Sequence, residues 1–383
     1  MKISLSRPDI TGKERRAVAD VLESPFLALG PKLREFEEKF AKFIGTKYAV
    51  AVNSGTSGLH LLIRALDIKK GDEVITTPFS FIASANCILY EGARPIFVDI
   101  DPLTLNIDPQ KIEKAITKRT KALVIVDIFG HPTEWDKILR IAKKYHLKVI
   151  EDSCEALGAE YFTKVAPKSR LARGKWGRCG NFGDAAVFAF YPNKQITTGE
   201  GGMVVTDNKK IAELCQSMHN QGRRIKGGKW LEHIRLGYNY RMTDVQAAMG
   251  MAQLARIYEI FKKRDRVAKI YNRRLSDVPT IKVPYVSPRV KTSWFVYVIQ
   301  LSENYTRKDR DQISKKLQKA GIECSNYFQC IHLQPFYKEL FGYKRGDFPI
   351  AESVSNRTIA LPFYNNLKER EIKYVVKILK QCF

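Results

Sequence analysis

The chain predicts an α/β protein: a large domain with a mostly parallel central sheet and helices on both faces, then a smaller α+β domain. Three observations carry this. Short apolar runs alternate with segments of helical periodicity between about residues 48 and 218, the pattern of strands joined by crossover helices. At 383 residues the chain exceeds one ordinary hydrophobic core, so two domains are expected. From about residue 264 the pattern changes to a charged helix, an aromatic strand and a closing helix. The expected division is 1–245 for the large domain and 246–383 for the small one.

Residues 13–45 alternate charged and apolar groups at helical spacing, with Phe36, Phe40 and Phe43 on one side and Gly45 as the stop. Residues 48–52 read as a strand, NSGTSG as a turn and 59–66 as a helix. Strands follow at 73–76, 95–98, 122–126 and 148–150, separated by helical patterns at 80–90 and 135–145. An apolar strand, 185–190, delivers Lys194. A glycine-rich loop (Gly199, Gly201, Gly202) then leads to a strand at 203–206 and a helix at 209–218. A basic glycine-rich loop occupies 221–230, and one long helix, 243–263, leaves the first domain. Beyond it lie a helix at 264–275, a strand at 293–301, a helix opening near Arg307 and a closing helix at 368–382.

Composition narrows the class. With 44% hydrophobic and 27% charged residues the chain reads as a soluble globular protein. Its formal charge of +25 predicts a surface that attracts anions, whether nucleic acid, headgroups or phosphorylated small molecules. The basic residues are spread along the whole length, and no nucleic-acid-binding signature accompanies them, so nucleic acid is not the expected partner. Seven cysteines, an odd number without CxxC spacing, fit a reducing compartment. Cys324, Cys330 and His332 come nearest to a zinc set but lack a second ligand pair, so no metal is expected. The N-terminus has no apolar signal core and no run approaches the ~20 residues that span a bilayer, so the expected location is cytoplasmic, without a membrane partner.

Four places in the large domain carry chemistry as a set. Ser54-Gly55-Thr56-Ser57-Gly58 turns a strand into a helix whose first N–H groups lack intrahelical partners; it is either a phosphate cup or an ordinary capped helix start. Glu151-Asp152 ends a strand, where an acid either meets a cationic heterocycle nitrogen or sits in a surface turn. Phe81, in Phe79-Ser80-Phe81, either stacks on a flat cofactor or belongs to the core. Lys194 stands between an apolar strand and glycines, where desolvation favours a neutral, nucleophilic amine. A phosphate cup, a stacking ring, an acid for a ring nitrogen and an amine nucleophile together describe one cofactor, pyridoxal 5'-phosphate.

At these residues the sequence resembles the DegT/DnrJ/EryC1/StrS family of sugar aminotransferases. The resemblance runs from LSRPDITGKERRAV through NSGTSGLHLLIRAL, GDEVITTPFSFIASANCI, IEDSCEALGAEY, FGDAAVFAFYPNKQITTGEGGM and RLGYNYRMTDVQAAMGMAQL to IHLQPFY and RTIALPFY. It implies the aspartate-aminotransferase fold (fold type I) and a homodimer with shared active sites. By the same resemblance Lys194 is the Schiff-base lysine, Asp152 the partner of the pyridine nitrogen, Gly55 and Thr56 the phosphate cup, and Phe81 the stacking ring. Asn239 is similarly implied to reach the neighbouring subunit's cofactor phosphate. Glu155 stands where many members have Gln or His near the ring's phenolic oxygen, and Ala189 where a serine often binds the phosphate. Lysine at 194, rather than histidine, implies transamination instead of dehydration.

The implied reaction moves an amino group from an amino acid, L-glutamate, to a nucleotide-linked keto-deoxysugar at C4, in polysaccharide biosynthesis. A 3-keto sugar, or binding without turnover as a regulator, are the alternatives. Arg241, Tyr327 and His332 are the substrate-contact candidates, and Arg223, Arg224, Lys226 and Lys229 offer diphosphate or carboxylate contacts. The stretch 164–178 holds six basic residues and no acid; it is either a solvated loop or a further hold on a nucleotide diphosphate.

Overall fold

The apolar runs become strands because their residues, pointing alternately to opposite sides, supply two separate cores. Val50 and Val52 join one cluster with Val187 and Val204, while Ala49 and Ala51 join the other with Phe188, Met203 and Val205. The computed structural model describes residues 1–163, 174–225, 227 and 229–383. Its first strands are β1 (Tyr48–Val52), β2 (Glu73–Thr76), β3 (Arg94–Phe97), β4 (Thr120–Val126), β5 (Lys148–Asp152), β6 (Glu160–Thr163), β7 (Lys175–Arg178), β8 (Ala185–Ala189) and β9 (Gly202–Thr206). Seven of these form the central sheet in the order β1-β9-β8-β5-β4-β2-β3. Only β9 runs antiparallel to its neighbours, so the other strands all end at one edge.

Helices cover both faces. The first seven are α1 (Gly12–Leu22), α2 (Pro31–Ile44), α3 (Gly55–Ala65), α4 (Ala83–Leu89), α5 (Pro109–Ala115), α6 (Trp135–Lys144) and α7 (Lys209–Met218). On one face α3, α4 and α7 bury Leu59, Leu62, Cys87 and Ile211. On the other, Phe40 of α2 packs edge-on against Phe188 and Phe190 and Phe36 packs tilted against Phe190, with ring centroids 5.3–5.6 Å apart. The periodic stretch 13–45 is thus two helices rather than one. Thr11 and Glu14 cap the first reciprocally, Pro31 opens the second, and Gly45 closes it at φ 96°.

The helix expected over 243–263 is also divided, into α8 (Asp244–Leu254) and α9 (Ile257–Leu275). The break falls at Arg256, whose guanidinium turns inward to Glu14 (2.7 Å) and Asp9 (3.2 Å). Core membership then changes along α9: Ile257 and Ile260 pack with Phe36 and Phe40, whereas Val267, Ala268, Tyr271 and Leu275 pack with the C-terminal core. That core is built on β10 (Ile281–Lys282), β12 (Tyr297–Leu301) and β13 (Thr358–Leu361), while β11 (Val290–Lys291) joins β6 and β7. The remaining helices are α10 (Arg307–Lys319), α11 (Pro335–Phe341), α12 (Pro349–Arg357) and α13 (Glu369–Lys380). The first residues of the chain return to this core, for Ile3 is fully buried there and its N–H donates to the Gly321 carbonyl at 2.8 Å. Across the expected boundary at 245, α8 and the first turn of α9 pack with the large core, and Ile3 packs with the C-terminal one.

Asp9 and Glu14 tie these units together. Burial alone raises both carboxyls. Hydrogen bonds from Asn365, Arg256, Asn366 and Lys263 outweigh it at Asp9, and those from Thr11, Arg256 and Gln253 at Glu14, so both come down to about 2. Groups depressed in the fold stabilise it above the ordinary carboxylate range, and that contribution fades as pH falls toward 2. Arg256→Met should raise the pH of the acid-unfolding midpoint and cost ~3–5 kcal/mol at neutral pH. Circular dichroism against pH checks this; a midpoint unchanged from wild type would remove the cluster from the acid response.

Candidate active site

Because the parallel strands end at one edge, the loops after them meet there. Strand β5 ends in Asp152, which is buried, and Glu151 beside it points to the other face. There Glu151 accepts main-chain hydrogen bonds from Gly180 (2.6 Å), Phe182 and Gly183 (2.5 Å), a loop-holding duty that separates two adjacent acids. The Asp152 carboxylate accepts the Ser84 hydroxyl at 2.6 Å and the Cys154 N–H at 3.3 Å. Ser84 lies in the first turn of α4, directly after Phe81. The Phe81 ring is 59% exposed, unlike Phe79, which is fully buried. On the neighbouring strand end Asp127 is also buried, and burial pushes its carboxyl up to about 7.

The turn after β8 carries Lys194, whose N–H donates to the Tyr191 carbonyl at 2.9 Å. Its side chain is only 13% exposed, with Nζ 3.7 Å from the Glu155 carboxylate and 3.9 Å above the centroid of the Phe295 ring. Burial raises Glu155, and Lys194 offsets part of that rise. One carboxylate oxygen of Glu155 accepts the Phe129 N–H at 2.8 Å, which leaves the other toward the lysine. Phe295 belongs to the small domain, and its carbonyl accepts from the buried Arg264 at 2.6 Å. Arg264 also donates to the carbonyl of Trp294 (2.6 Å) and to Asn365 (2.8 Å). Among the described residues no carboxylate is in direct contact with it, and burial pushes its guanidinium down to about 9.

The backbones of the two domains touch at this point. Gly130 has φ 84°, and a Cβ there would lie 3.1 Å from the Glu155 carbonyl and 3.2 Å from the Trp294 N–H. The adjoining Phe129 and Trp294 hold left-handed conformations, at φ 56° and 40°.

Helix α3 supplies an open N-terminus. Ser54 caps it by accepting from the Ser57 N–H at 3.1 Å, and the half-buried Thr56 lies in the first turn. A Cβ on Gly55 would meet the Ala189 Cβ and the Cys154 Sγ, each at 2.9 Å, so glycine is required for α3 to reach the strand ends.

Tyr327 joins this site, stacking on Phe295. Asn239 and Arg241 lie beside the start of α3. The Asn53 amide donates to the Asn239 carbonyl at 3.3 Å, and the Arg241 guanidinium to Asn220 at 3.0 Å. The Asn239 side chain itself is exposed.

His332 is not at the site. It is 0% exposed and bonded to Glu352 at 3.1 Å, so the proposed substrate contact becomes a core histidine. Arg223, Arg224 and Lys229 line a separate cavity of about 850 Å3 against α2, with Arg224 paired to Glu232 at 2.6 Å. Lys226 and residues 164–173, most of the basic stretch, lie outside the described residues. Ser84, Phe295 and Arg264 were missed. Only Ser84 left a trace, its four-residue spacing from Ser80 in a predicted helix; the other two come from the far end of the chain.

A lysine amine near a buried carboxylate, an exposed ring and an open helix N-terminus fit pyridoxal 5'-phosphate, and with this sheet they define a fold type I pyridoxal-phosphate enzyme. The chain belongs to the DegT/DnrJ/EryC1/StrS aminotransferase family, which matches residues 8–380. It is 43% identical to an uncharacterised protein of Methanocaldococcus jannaschii, over 98% of this chain and 96% of that one. It is 38% identical to the GDP-perosamine synthase of Caulobacter vibrioides, over 99% and 98%. Among solved structures, Helicobacter pylori PseC, an aminotransferase involved in the biosynthesis of pseudoaminic acid, superposes with a TM-score of 0.92. That match has 30% identity and covers 100% of this chain and 99% of that one.

Removing the Ser84 hydroxyl takes a charge-assisted hydrogen bond from Asp152, worth ~1.5–3 kcal/mol. Ser84→Ala should therefore weaken cofactor binding about tenfold or more. Gly55→Ala should weaken it similarly and lower stability by ~1–3 kcal/mol through overpacking. Titration of the stripped protein with pyridoxal phosphate, read by visible absorbance, checks both; wild-type affinity in either variant would contradict the role given to that contact.

Proposed function

We propose that this enzyme transfers an amino group from L-glutamate to the C4 keto carbon of a nucleotide-linked deoxysugar. The observation that carries this is Lys194, retained as a lysine and nearly enclosed between Glu155 and Phe295. The 38% identity to a GDP-perosamine synthase over nearly the whole chain supports a nucleotide-sugar substrate, as does the excess of 25 positive charges, because such a substrate carries a diphosphate.

The roles follow from each group's chemistry. When bound, pyridoxal phosphate supplies an electron sink beside the reacting carbon. Asp152, oriented by Ser84, holds the proton on the ring nitrogen. Lys194, with its amine free, would move the proton at the substrate carbon. Its Nζ is positioned between the Glu155 carboxylate and the face of Phe295. Gly55 and Thr56 offer main-chain N–H groups to the phosphate at the positive end of α3. Phe81 covers the ring, and Tyr327 bounds the substrate side from the small domain. Ala189 offers no hydroxyl to the phosphate, a modest loss of ~1 kcal/mol.

The same reading makes the working unit a homodimer in which Asn239 reaches the partner's cofactor phosphate. Its support is the exposure of Asn239 and of the large apolar side chains Phe26, Leu27, Leu231 and Leu236.

Two measurements test the proposal. The loaded enzyme should aminate a keto sugar from a panel of UDP-, GDP- and dTDP-linked 4-keto and 3-keto substrates with glutamate as donor, with products followed by mass. Amination of the 3-keto members alone would move the position. No amination of any member by demonstrably loaded protein would end the sugar reading. For the shared site, Lys194→Ala and Asn239→Ala proteins should each be impaired, and mixing them should restore activity above either parent, because one site of the mixed dimer is intact. No recovery in a mixture shown to exchange subunits would place Asn239 in its own subunit's site or in none.

A further inference from the structure

A second, smaller cavity of about 130 Å3 opens on the small domain between the first turn of α10, helix α12 and the segment 326–334. Three guanidinium groups line it: Arg307, Arg310 and Arg345. Arg310 is 5% exposed. Its Nε donates to Asp311 at 2.6 Å and its Nη1 to the Ser355 carbonyl at 3.2 Å, contacts that fix the fork and do not use Nη2. Arg307 and Arg345 stand exposed at the mouth. Arg345 has no ion-pair partner among the described residues, and Arg307 reaches Asp311 only at 3.7 Å.

Two carboxylates lie near these three cations, and both are engaged. Asp311 is shared between Arg307 and Arg310. Glu352 accepts from His332 at 3.1 Å, from the Gly346 N–H at 2.8 and 2.9 Å and from the Phe348 N–H at 3.3 Å. The cavity is therefore a cationic, amide-lined recess. None of the groups described around Lys194 lines it. Asn326 turns to Ser355 and Thr358, while Tyr327, the next residue, stacks on Phe295.

We propose that this recess binds a single phosphoryl group, from free phosphate or from a phosphate monoester whose remainder stays outside the mouth. Planar guanidinium forks match the terminal oxygens of a tetrahedral oxyanion and hold it by charge-assisted bonds. Size limits what is enclosed. Pockets that enclose larger organic ligands run to roughly 300–1,000 Å3, so a recess of about 130 Å3 takes in one phosphoryl group and leaves the rest of any ligand outside.

The test uses the cofactor-loaded protein, in which the open end of α3 is already filled. Sodium phosphate and glucose 1-phosphate are titrated separately against sodium chloride at matched ionic strength and followed by phosphorus NMR line width. Arg307→Gln and Arg345→Gln serve as variants because both side chains are exposed and safe for folding, which circular dichroism verifies. Saturable binding is expected in the wild type, weakened about tenfold or more in each variant. Binding of phosphate alone assigns the recess to the free anion, and binding of both ligands assigns it to the shared phosphoryl group. Broadening no greater than chloride allows, or saturable binding of equal strength in wild type and both variants, overturns the proposal.

Discussion

Helix α3 meets the central sheet at backbone distance, and the rest of the site depends on that contact. A Cβ on Gly55 would collide with Ala189 and Cys154, one on Gly58 would lie 2.8 Å from Val187, and one on Gly202 would lie 2.7 Å from the Ser54 backbone. Three glycines thus remove the spacing that side chains normally impose between helix and strand. The consequence is positional. The first N–H groups of α3 stand at the same strand ends as Asp152 and the turn to Lys194, so one small molecule with a phosphate at one end and a reactive carbon at the other can meet all of them.

A second constraint closes the site from the opposite side. Gly130 allows the loop after β4 to approach residues 293–295, and Arg264 fastens the carbonyls of Trp294 and Phe295 from below. Phe295 is thereby fixed under the Lys194 amine. The strained conformations of Phe129 and Trp294 are tolerated because hydrogen bonds surround them, including one from the Phe129 N–H to Glu155. Packing between domains, rather than any local motif, makes the enclosure of the lysine.

Much of this was legible in the sequence, though unevenly. Strand β1, strand β2 and helix α7 fall where periodicity put them, because each is bounded by turn chemistry and carries an unbroken apolar pattern. The break at Arg256 was not legible, since nothing local distinguishes an arginine that turns inward to Asp9 from one on a solvated face. His332 shows the reverse error. Its motif suggested a ligand contact, but its ring is fully buried against Glu352. The family resemblance separated the adjacent acids Glu151 and Asp152, and the opposite directions of their side chains, one to a loop and one to Ser84, supply the physical reason.

By itself the sequence determined the fold class and the family, and it singled out Lys194, Asp152, Phe81 and the Gly55-Thr56 turn as one set in the large domain. These are local matters, since a strand that ends in an acid or a helix that begins at a glycine turn leaves its mark within a few residues. Tertiary structure alone decided which groups surround the lysine and how the three arginines of the small domain converge. Phe295 and Tyr327 lie more than a hundred residues beyond Lys194, and Arg345 lies far along the chain from Arg307. Their convergence arises from the packing of β12, β13 and α12 against the loops of the first domain, and no local pattern records a contact made over that separation.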